Sequence, residues 1–352
     1  MKKVTLGDVC NKAGSNIAQK DLQGNEGKYP IYGAGGLIKK VDFYQQELPY
    51  IAVVKDGAGI GRTMLLPGHS SVIGTVQYIL PINRETVDLK YLYYAIVHMN
   101  LSKYFSGATI PHIYFKDYKK EPLRLPELEK QREIASVFQR IDELIAKREQ
   151  QLKELDGLVK SRFIELFGDP VLNDKNWKIV KIGDIVTDVR YGTSKPAVEG
   201  GKYPYIRMNN LTLDGKLDLN DLKYIDIPDD EIDKCVVKKG DVLFNRTNSL
   251  ELVGKTALFD QSQNMVIAGY IIRVRLNKQI LPEIFVEYMN LKALKNILRS
   301  MAKGAVNQAN INAKELQSIK IYIPDMVLQE KFVEFINQTD KSKHFCEMEV
   351  AA

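Results

Sequence analysis

Hydrophobic and polar residues alternate between two patterns along this chain of 352 residues. Short runs of β-branched and aromatic residues, bounded by Gly, Pro and Asn, predict strands. These runs lie at Tyr50–Val54, Val76–Leu80, Val242–Asn245 and Ile267–Val274. Apolar residues at helical spacing predict helices over Leu89–Tyr104 and Glu283–Met301. The chain is therefore predicted to be α/β, of the α+β kind, with mixed β-sheets.

The longest helical pattern begins near Pro126 and ends at Phe167, where Gly168-Asp169-Pro170 follows. Proline is tolerated in the first turn of a helix, and a Gly-x-Pro sequence ends one. About forty residues at 1.5 Å each predict a rod of roughly 60 Å. Its apolar positions form one stripe that is interrupted in the middle by Arg148 and Gln151. The stripe consists of Ile134, Val137, Phe138, Ile141, Leu144, Ile145, Leu152, Leu155, Leu158, Val159 and Phe163.

A second, shorter stripe near the C-terminus has the same spacing. It consists of Leu328, Phe332, Phe335 and Ile336. Because an isolated helix cannot bury such a stripe, we expect the two helices to pair as an antiparallel coiled coil. The alternative is that each helix packs only on its own domain.

The sequence is also duplicated, in a diverged form, with five matches in the same order. The first places VTLGDVCNKAG (4–14) over VKIGDIVTDVRYG (180–192), and the second KYPIYGAGG (28–36) over KYPYIRMNN (202–210). GRTMLL (61–66) matches GKTALF (254–259), and SVIGTVQYILPIN (71–83) matches MVIAGYIIRVRLN (265–277). LRLPELEKQREIASVFQRID (123–142) matches IYIPDMVLQEKFVEFINQTD (321–340). Duplication on this scale predicts two similar domains that differ by loop insertions.

The repeat and the helical stripes together divide the chain into four segments. We expect a first globular domain at 1–125 and a long helix at 126–170. A second globular domain would follow at 171–323, with a distal helix at 324–352 that looks shorter than the central one.

Charge separates the globular segments from the helical ones. Residues 1–123 carry 15 Lys+Arg against 10 Asp+Glu, and residues 171–323 carry 23 against 18. The stretches 124–170 and 324–352 are slightly acidic, with 9 against 10 and 3 against 6. Two basic bodies would suit a polyanionic partner such as DNA.

Composition and motifs argue against other classes of protein. No apolar run is long enough for a membrane span, and the N-terminus lacks the apolar core of a secretion signal, so we expect a cytoplasmic protein. Cys10, Cys235 and Cys346 lie far apart, which is typical of reduced thiols, and the four histidines form no metal-binding spacing.

Two glycine-rich stretches resemble a phosphate-binding loop only superficially. KDGAGIGRT (55–63) has its glycines too close together, and SLELVGKT (249–256) has Ser249 where the first glycine is required. Because both stretches occupy the same place in the repeat and run into an apolar strand, we interpret them as hairpins. An ATPase or nuclease is therefore not favoured.

The chain resembles the specificity subunits of type I restriction–modification enzymes over nearly its whole length. The resemblance is carried by KYPIYGAGG (28–36), SGATIPHIYFKDYKKEPLRLP (106–126), EKQREIASVFQRIDELI (129–145), FGDP (167–170) and GDVLFNRT (240–247), in this order and with the duplication. The resemblance implies that each globular domain is a target-recognition domain that reads one half of a bipartite DNA sequence.

The same resemblance implies the partners. The helices would set the spacing between the two DNA halves and bind methyltransferase subunits. Those subunits would use S-adenosylmethionine, and restriction subunits would use ATP and Mg. The specificity subunit itself would hold no cofactor, bind no metal and catalyse no reaction. The alternative is a free-standing two-domain regulator that binds DNA alone.

Loop residues able to contact phosphates or base edges are the candidate DNA-binding residues. In the first domain they are Tyr32, Lys55, Arg62, Thr109, His112 and Tyr114, with Lys39 and Lys40 as further possibilities. In the second they are Arg207, Asn209, Asn210, Arg246, Thr247, Asn248, Lys303, Asn307 and Gln308, with Asn310 as a further possibility. Each of these residues could instead be a solvated or turn-capping residue.

Overall fold

The computed structural model describes residues 2–107, 110–305 and 308–351. The chain forms two compact units, residues 1–146 and 147–352. The boundary between them falls inside the long helix. The finer division into four segments, with the helices as segments of their own, stays a prediction.

Unit 1 is built on a four-stranded sheet in the order β2-β8-β5-β6 and a three-stranded sheet in the order β4-β3-β7. Its strands are β1 (Lys2–Thr5), β2 (Cys10–Gly14), β3 (Tyr29–Gly33), β4 (Gly36–Val41), β5 (Tyr50–Val54), β6 (Thr63–Leu66), β7 (Ser71–Val72), β8 (Val76–Pro81) and β9 (Pro122–Leu125). Its helices are α1 (Leu6–Val9), α2 (Leu89–His98), α3 (Phe115–Tyr118) and the first part of α4 (Leu128–Phe167), with 3-10 turns at Gln19–Leu22 and Leu101–Tyr104.

Unit 2 contains sheets in the orders β11-β19-β15-β17, β13-β12-β18-β14 and β16-β21-β20. Its strands are β10 (Lys178–Lys181), β11 (Val186–Tyr191), β12 (Tyr203–Ile206), β13 (Lys223–Ile225), β14 (Val236–Val237), β15 (Val242–Asn245), β16 (Thr247–Asn248), β17 (Thr256–Leu258), β18 (Met265–Ile267), β19 (Ile271–Leu276), β20 (Lys303–Ala305), β21 (Gln308–Asn310) and β22 (Lys320–Ile323). Its helices are α5 (Asp229–Cys235), α6 (Pro282–Asn290), α7 (Lys292–Met301), α8 (Ala313–Ser318) and α9 (Met326–Ala351), with 3-10 turns at Ile182–Asp184 and Met208–Asn210.

The sheets confirm the prediction of two tandem α/β domains. In both units an early strand pairs antiparallel with the last one, as β1 with β9 and β10 with β22. The four-stranded sheets β2-β8-β5-β6 and β11-β19-β15-β17 have the same order and antiparallel sense. A parallel pair also recurs, β3 with β7 and β12 with β18. The five sequence matches therefore correspond to equivalent strands and helices.

Several predicted elements have different bounds in the structure. Tyr50–Val54 and Val242–Asn245 are strands as predicted. The single strand expected over Ile267–Val274 is wrong, because Ala268-Gly269-Tyr270 leads from β18 in one sheet to β19 in another. The helix expected over Glu283–Met301 is interrupted at Leu291, whose extended backbone (ψ 144°) separates α6 from α7. A positive φ at Asn100 likewise ends the helix expected over Leu89–Tyr104.

The end of α4 belongs to the core of unit 2. Phe163 and Phe167 are fully buried and meet Phe332 of α9 edge-on, with ring centroids 5.3 and 5.5 Å apart. Further along α9, Lys343 Nζ forms an ion pair with Asp156 Oδ1 of α4 at 2.6 Å. Residue numbers fall along α4 as they rise along α9, so these contacts run in the antiparallel sense. A continuous coiled coil between the two helices stays a prediction.

A buried glutamine ties each of these two helices to its globular body. Gln131 of α4 donates from Nε2 to the carbonyls of Thr86 and Pro126, and its Oε1 accepts from the Asp88 amide at 2.9 Å. In unit 2, Gln329 of α9 donates from Nε2 to the carbonyls of Gln279 and Pro324, and its Oε1 accepts from the Leu281 amide at 2.8 Å. Both side chains are fully buried. The two glutamines thus make the same set of bonds in each copy of the repeat.

Part of the apolar stripe of α4 stays exposed in the structure. Five residues of the stripe are 44 to 57% exposed, namely Val137, Phe138, Ile141, Leu144 and Leu158. Among the described residues, no helix is both long enough and apolar enough to span a membrane. The exposed stripe is therefore a surface of α4 that is open to other macromolecules.

The phenylalanine cluster predicts a large and local effect on stability. Phe163→Ala should lower the free energy of unfolding by about 3–5 kcal/mol, because it removes a fully buried ring and leaves a cavity. Ile164→Ala is the matched control, since Ile164 is the next residue in the helix and is 40% exposed. Urea unfolding followed by tryptophan fluorescence would measure both, since the one tryptophan, Trp177, donates to the carbonyl of Phe167. Equal losses in the two variants would contradict this packing.

The buried glutamine predicts a second effect on stability. Gln329→Leu should lower the free energy of unfolding by about 2–4 kcal/mol, because one amide and two carbonyls lose their partner in the interior. Gln338→Leu is the control in the same helix, because that side chain is exposed. Thermal unfolding followed by circular dichroism would compare them. A Gln329 variant as stable as the Gln338 variant would show that these bonds contribute little.

Candidate nucleic-acid interface

A basic residue follows the central strand of the four-stranded sheet in each unit. Lys55 follows β5, and Arg246 follows β15. The amide of Lys55 donates to the Thr75 carbonyl at 3.0 Å, and its carbonyl accepts from the Ile113 amide at 3.0 Å. Arg246 is bound in the same way, by the Tyr270 carbonyl and the Ile311 amide, both at 2.9 Å. We call Lys55 and Arg246 the strand-end cations, because two backbone bonds fix each one at an equivalent position.

The next residue in each unit faces a polar partner on a neighbouring segment. Asp56 forms a bridge with His112, and the Asp56 carboxylate bonds Nδ1 of the His112 ring. In unit 2, Thr247 pairs with Asn310, and Thr247 Oγ1 lies 3.5 Å from Asn310 Oδ1. The backbone arrangement is therefore shared, whereas the side chains that occupy it differ between units.

Of the two strand-end cations, Arg246 has the side chain with fewer polar partners. Its guanidinium carbon lies 5.0 Å from the centre of the Tyr191 ring, a cation–π contact. Within the described ranges, no side chain or carbonyl accepts a hydrogen bond from this guanidinium, and its Nε is buried without a partner. By contrast, Lys55 Nζ lies 3.3 Å from the Asp56 carboxylate. Arg246 is thus preorganised with terminal nitrogens that no described acidic group neutralises.

A surface pocket of unit 2 brings together three of the candidates from the sequence. Arg207, Asn209 and Arg246 line it. Arg207 Nη2 donates to the Asp221 carboxylate at 2.8 Å, and this bond lowers the pKa of the Asp221 carboxyl. Asn209 is exposed. Two further lining residues, Thr193 and Lys195, were not singled out from the sequence, because no motif distinguishes them.

A second surface pocket, in unit 1, lies beside the Asp56–His112 pair. His112 and Tyr114 line it, with ring centroids 4.1 Å apart. Tyr114 is 47% exposed, and Lys116 Nζ lies 5.1 Å from its ring centre. The structure thus places His112 and Tyr114 beside Asp56, the neighbour of Lys55, and their contact with DNA stays a prediction.

Arg62 is a weaker candidate than the sequence suggested, because its guanidinium supports a loop. Arg62 Nη1 donates to the Ala34 carbonyl at 2.8 Å. Its counterpart in unit 2, Lys255, is buried and donates from Nζ to the carbonyls of Met208 and Leu211. Burial also lowers the pKa of Lys255. Both cations therefore bond the loop that follows the first strand of the parallel pair, and contact of Arg62 with DNA stays a prediction.

The hairpins that carry these two cations are as the sequence predicted. Gly61 and Gly254 have φ values of 80° and 78°. A Cβ at Gly61 would lie 2.5 Å from the Ser102 amide nitrogen. Glycine is required here by both backbone and space, so a turn explains the glycines without a phosphate.

Three other candidates in unit 2 have side chains used inside the protein. Asn210 is 2% exposed, and its amide group accepts from the Arg207 amide and donates to the Asp218 carbonyl. Thr247 is 5% exposed. Asn248 donates to Asn245 Oδ1 at 3.1 Å and accepts from the Ser249 amide. Asn210 and Thr247 are therefore buried in this structure, and Asn248 is bonded within its own loop, so the prediction that they contact DNA has little accessible surface behind it.

The remaining candidates lie in less informative places. Tyr32 is half-buried in β3, and its carbonyl accepts from the Ile73 amide at 2.9 Å. Gln308 is exposed on β21, where it pairs with Ala305 of β20. The backbone of Lys303 is part of β20, but Thr109 and Asn307 lie outside the described residues.

The chemistry available at these sites is recognition by charge and hydrogen bonding. Arg and Asn side chains at loop ends can contact phosphates or pair with guanine and adenine edges. Over the ranges that the structure describes, no group of three or more His, Cys, Asp and Glu residues could hold a metal ion. The arrangement therefore fits a surface that binds a nucleic acid.

Comparison with known families gives the same assignment for both units. The family model described as "Type I restriction modification DNA specificity domain" matches residues 1–156 and 174–345. The two matched segments correspond to the two copies of the repeat.

Individual relatives are similar in sequence or in fold. The specificity subunit of the type I restriction enzyme EcoKI of Escherichia coli (strain K12) is 26% identical over 257 residues, covering 68% of this chain and 54% of that protein. A putative type I restriction enzyme MjaX specificity subunit of Methanocaldococcus jannaschii is 30% identical over 171 residues, covering 47% and 40%. This chain thus spans about half the length of these two curated relatives. The crystal structure of a type I restriction–modification S subunit from M. genitalium aligns with a TM-score of 0.61 at 18% identity, covering 99% and 92%, and so shares the fold.

The two loop-supporting cations predict unequal effects on stability. Lys255→Leu should lower the free energy of unfolding by about 1–3 kcal/mol, because two carbonyls in the interior lose their donor. Arg62→Leu should lower it by less than about 1 kcal/mol, since Arg62 is exposed and water can replace its bond to Ala34. Chemical denaturation of both variants measures the difference. The reverse order would contradict the assigned roles.

Proposed function

Because this chain belongs to the family of type I restriction–modification DNA specificity domains, we propose that it recognises the DNA target of a type I restriction–modification complex. Unit 1 would bind one half of a bipartite sequence, and unit 2 the other half. The observation that carries this proposal is the pair of strand-end cations, Lys55 and Arg246. The same two backbone bonds fix both, while their polar neighbours differ.

Shared backbone and different side chains are what two readers of different sequences require. Backbone bonds set where a side chain meets the DNA, and the side chain decides which base edge it fits. The Asp56–His112 pair in unit 1 and Asn310, next to the buried Thr247, in unit 2 would present different donors and acceptors at one position. Two units of one fold would therefore select different half-sites.

We further propose that α4 serves assembly as well as spacing. Its exposed apolar side chains, including Val137, Ile141 and Leu144, would contact methyltransferase subunits. Those subunits would methylate adenine with S-adenosylmethionine, and restriction subunits with ATP and Mg would cleave DNA. This chain would contribute recognition and no catalytic group.

Methylome sequencing tests the proposed function and the roles of the two units. Cells that express the chain with its methyltransferase subunit should carry methylated adenine in a bipartite motif, and cells without the chain should not. Lys55→Ala should relax or abolish only one half of the motif, and Arg246→Ala only the other, because each cation belongs to a separate unit.

Lys278→Ala is the control, because Lys278 lies beyond the end of β19 opposite to Tyr270. It should leave the motif unchanged. A chain that binds its sequence alone, with no methylation that depends on it, would favour a free-standing regulator instead.

A further inference from the structure

Tyr191 lies beneath the guanidinium of Arg246, although nothing in the sequence singled it out. It is the last residue of β11, and its ring is 44% exposed. Its hydroxyl accepts a hydrogen bond from the Ala313 amide at 2.9 Å, at the beginning of α8. The ring is therefore held from two sides, by its strand and by this bond, while its face carries the Arg246 cation.

Resting on the proposed DNA recognition, we propose that Tyr191 and Arg246 form a composite site that reads one guanine of the half-site bound by unit 2. Arg246 would supply the hydrogen bonds to guanine O6 and N7 through its two terminal nitrogens. Tyr191 is the positioning residue, which fixes the direction of the guanidinium without touching the base.

The hydrogen-bond inventory of Arg246 favours a base over a structural role. Its backbone is already fixed by Tyr270 and Ile311, so the side chain is not needed to hold the loop. Nε is buried without a partner, as is that of Arg207, so the distinguishing feature of Arg246 is that within the described ranges no acceptor meets its terminal nitrogens. An arginine in a fixed direction with unused donors is suited to a bidentate contact, because little side-chain entropy is lost on binding.

The other arginine of the same pocket provides a contrast. Arg207 Nη2 donates both to the Asp221 carboxylate at 2.8 Å and to the Asp221 carbonyl at 2.9 Å. Its charge is partly neutralised, and its direction is set by that residue. Of the two arginines, Arg246 is therefore the stronger candidate for a direct contact with a base.

The Tyr191 support belongs to unit 2 alone. In β11, Tyr191 pairs with Ile272, which also pairs with Phe244 of β15. At the same register of unit 1, Gly14 pairs with Gln77, which also pairs with Val53 of β5. Lys55 therefore has no ring at this position, and it contacts the Asp56 carboxylate instead. The pair is thus a feature by which the two units would differ in the base that they select.

The test selects duplexes from a randomised DNA library on the full chain assembled with its methyltransferase subunit and then measures binding to every single base-pair change in the selected sequence. Wild-type protein should also lose about tenfold in affinity when 7-deazaguanine, which lacks the N7 acceptor, replaces one particular guanine. Arg246→Ala should lose roughly ten- to hundredfold on the unmodified duplex and show no further loss with 7-deazaguanine. Preference at that one position should disappear.

Tyr191→Leu should weaken binding about three- to tenfold and flatten the preference at the same guanine, because the guanidinium loses its support. Tyr191→Phe keeps the ring and should retain the preference. Tyr224→Leu is the matched control, since Tyr224 of β13 is 45% exposed and lies in the same unit. It should give the wild-type profile.

Two results would overturn this inference while leaving the proposed function intact. One is a Tyr191→Leu profile that matches the Tyr224→Leu profile. The other is an Arg246→Ala variant that weakens binding equally at all sequences, as the loss of a phosphate contact would. Failure of the wild-type assembly to select any sequence would instead overturn the proposed function together with this inference.

Discussion

The bonds of two buried glutamines determine how the long helices leave the globular bodies. Gln131 and Gln329 each satisfy one amide and two carbonyls that would otherwise be unpaired in the interior. An unpaired buried polar group is costly, so the first turn of each helix can take only one position against its unit. In unit 2 that position places Phe332 of α9 against Phe163 and Phe167 of α4. In unit 2 a polar constraint at the first turn of α9 and apolar packing one turn later thus hold the same helix.

The same separation between a fixed frame and variable side chains recurs at the ends of β5 and β15. Backbone bonds that involve Lys55 and Arg246 do not depend on which side chains are present, so substitution there need not disturb the fold. Buried side chains such as Asn210 and Lys255 hold the surrounding loops through backbone carbonyls and amides. A surface built in this way can change the bases that it prefers through a few residues, because its loops are supported from beneath.

Much of the fold could be predicted from the sequence, and less of the site. The repeat revealed the two domains because strands with alternating or continuous apolar residues are recognisable even after divergence. The break at Leu291 could not be predicted, since apolar spacing continues across it and only the extended backbone shows the interruption. Arg62 and Asn210 were chosen as readers because residue type says nothing about burial or about carbonyls brought near from distant segments. Tyr191 was missed for the same reason, because it lies 55 positions before Arg246 in the sequence.

The burial of apolar side chains changes along the long helix α4. Phe163 and Phe167 at its end are fully buried, whereas Val137 and Leu144 nearer its beginning are more than half exposed. The core of unit 2 requires Phe163 and Phe167. The described part of unit 1 does not bury Val137 and Leu144 to a comparable extent. Keeping large apolar side chains in water promotes association, so they are expected to be retained where another macromolecule covers them. The apolar stripe of α4 therefore forms a core at one end, and toward the other end it is the surface that we propose for docking.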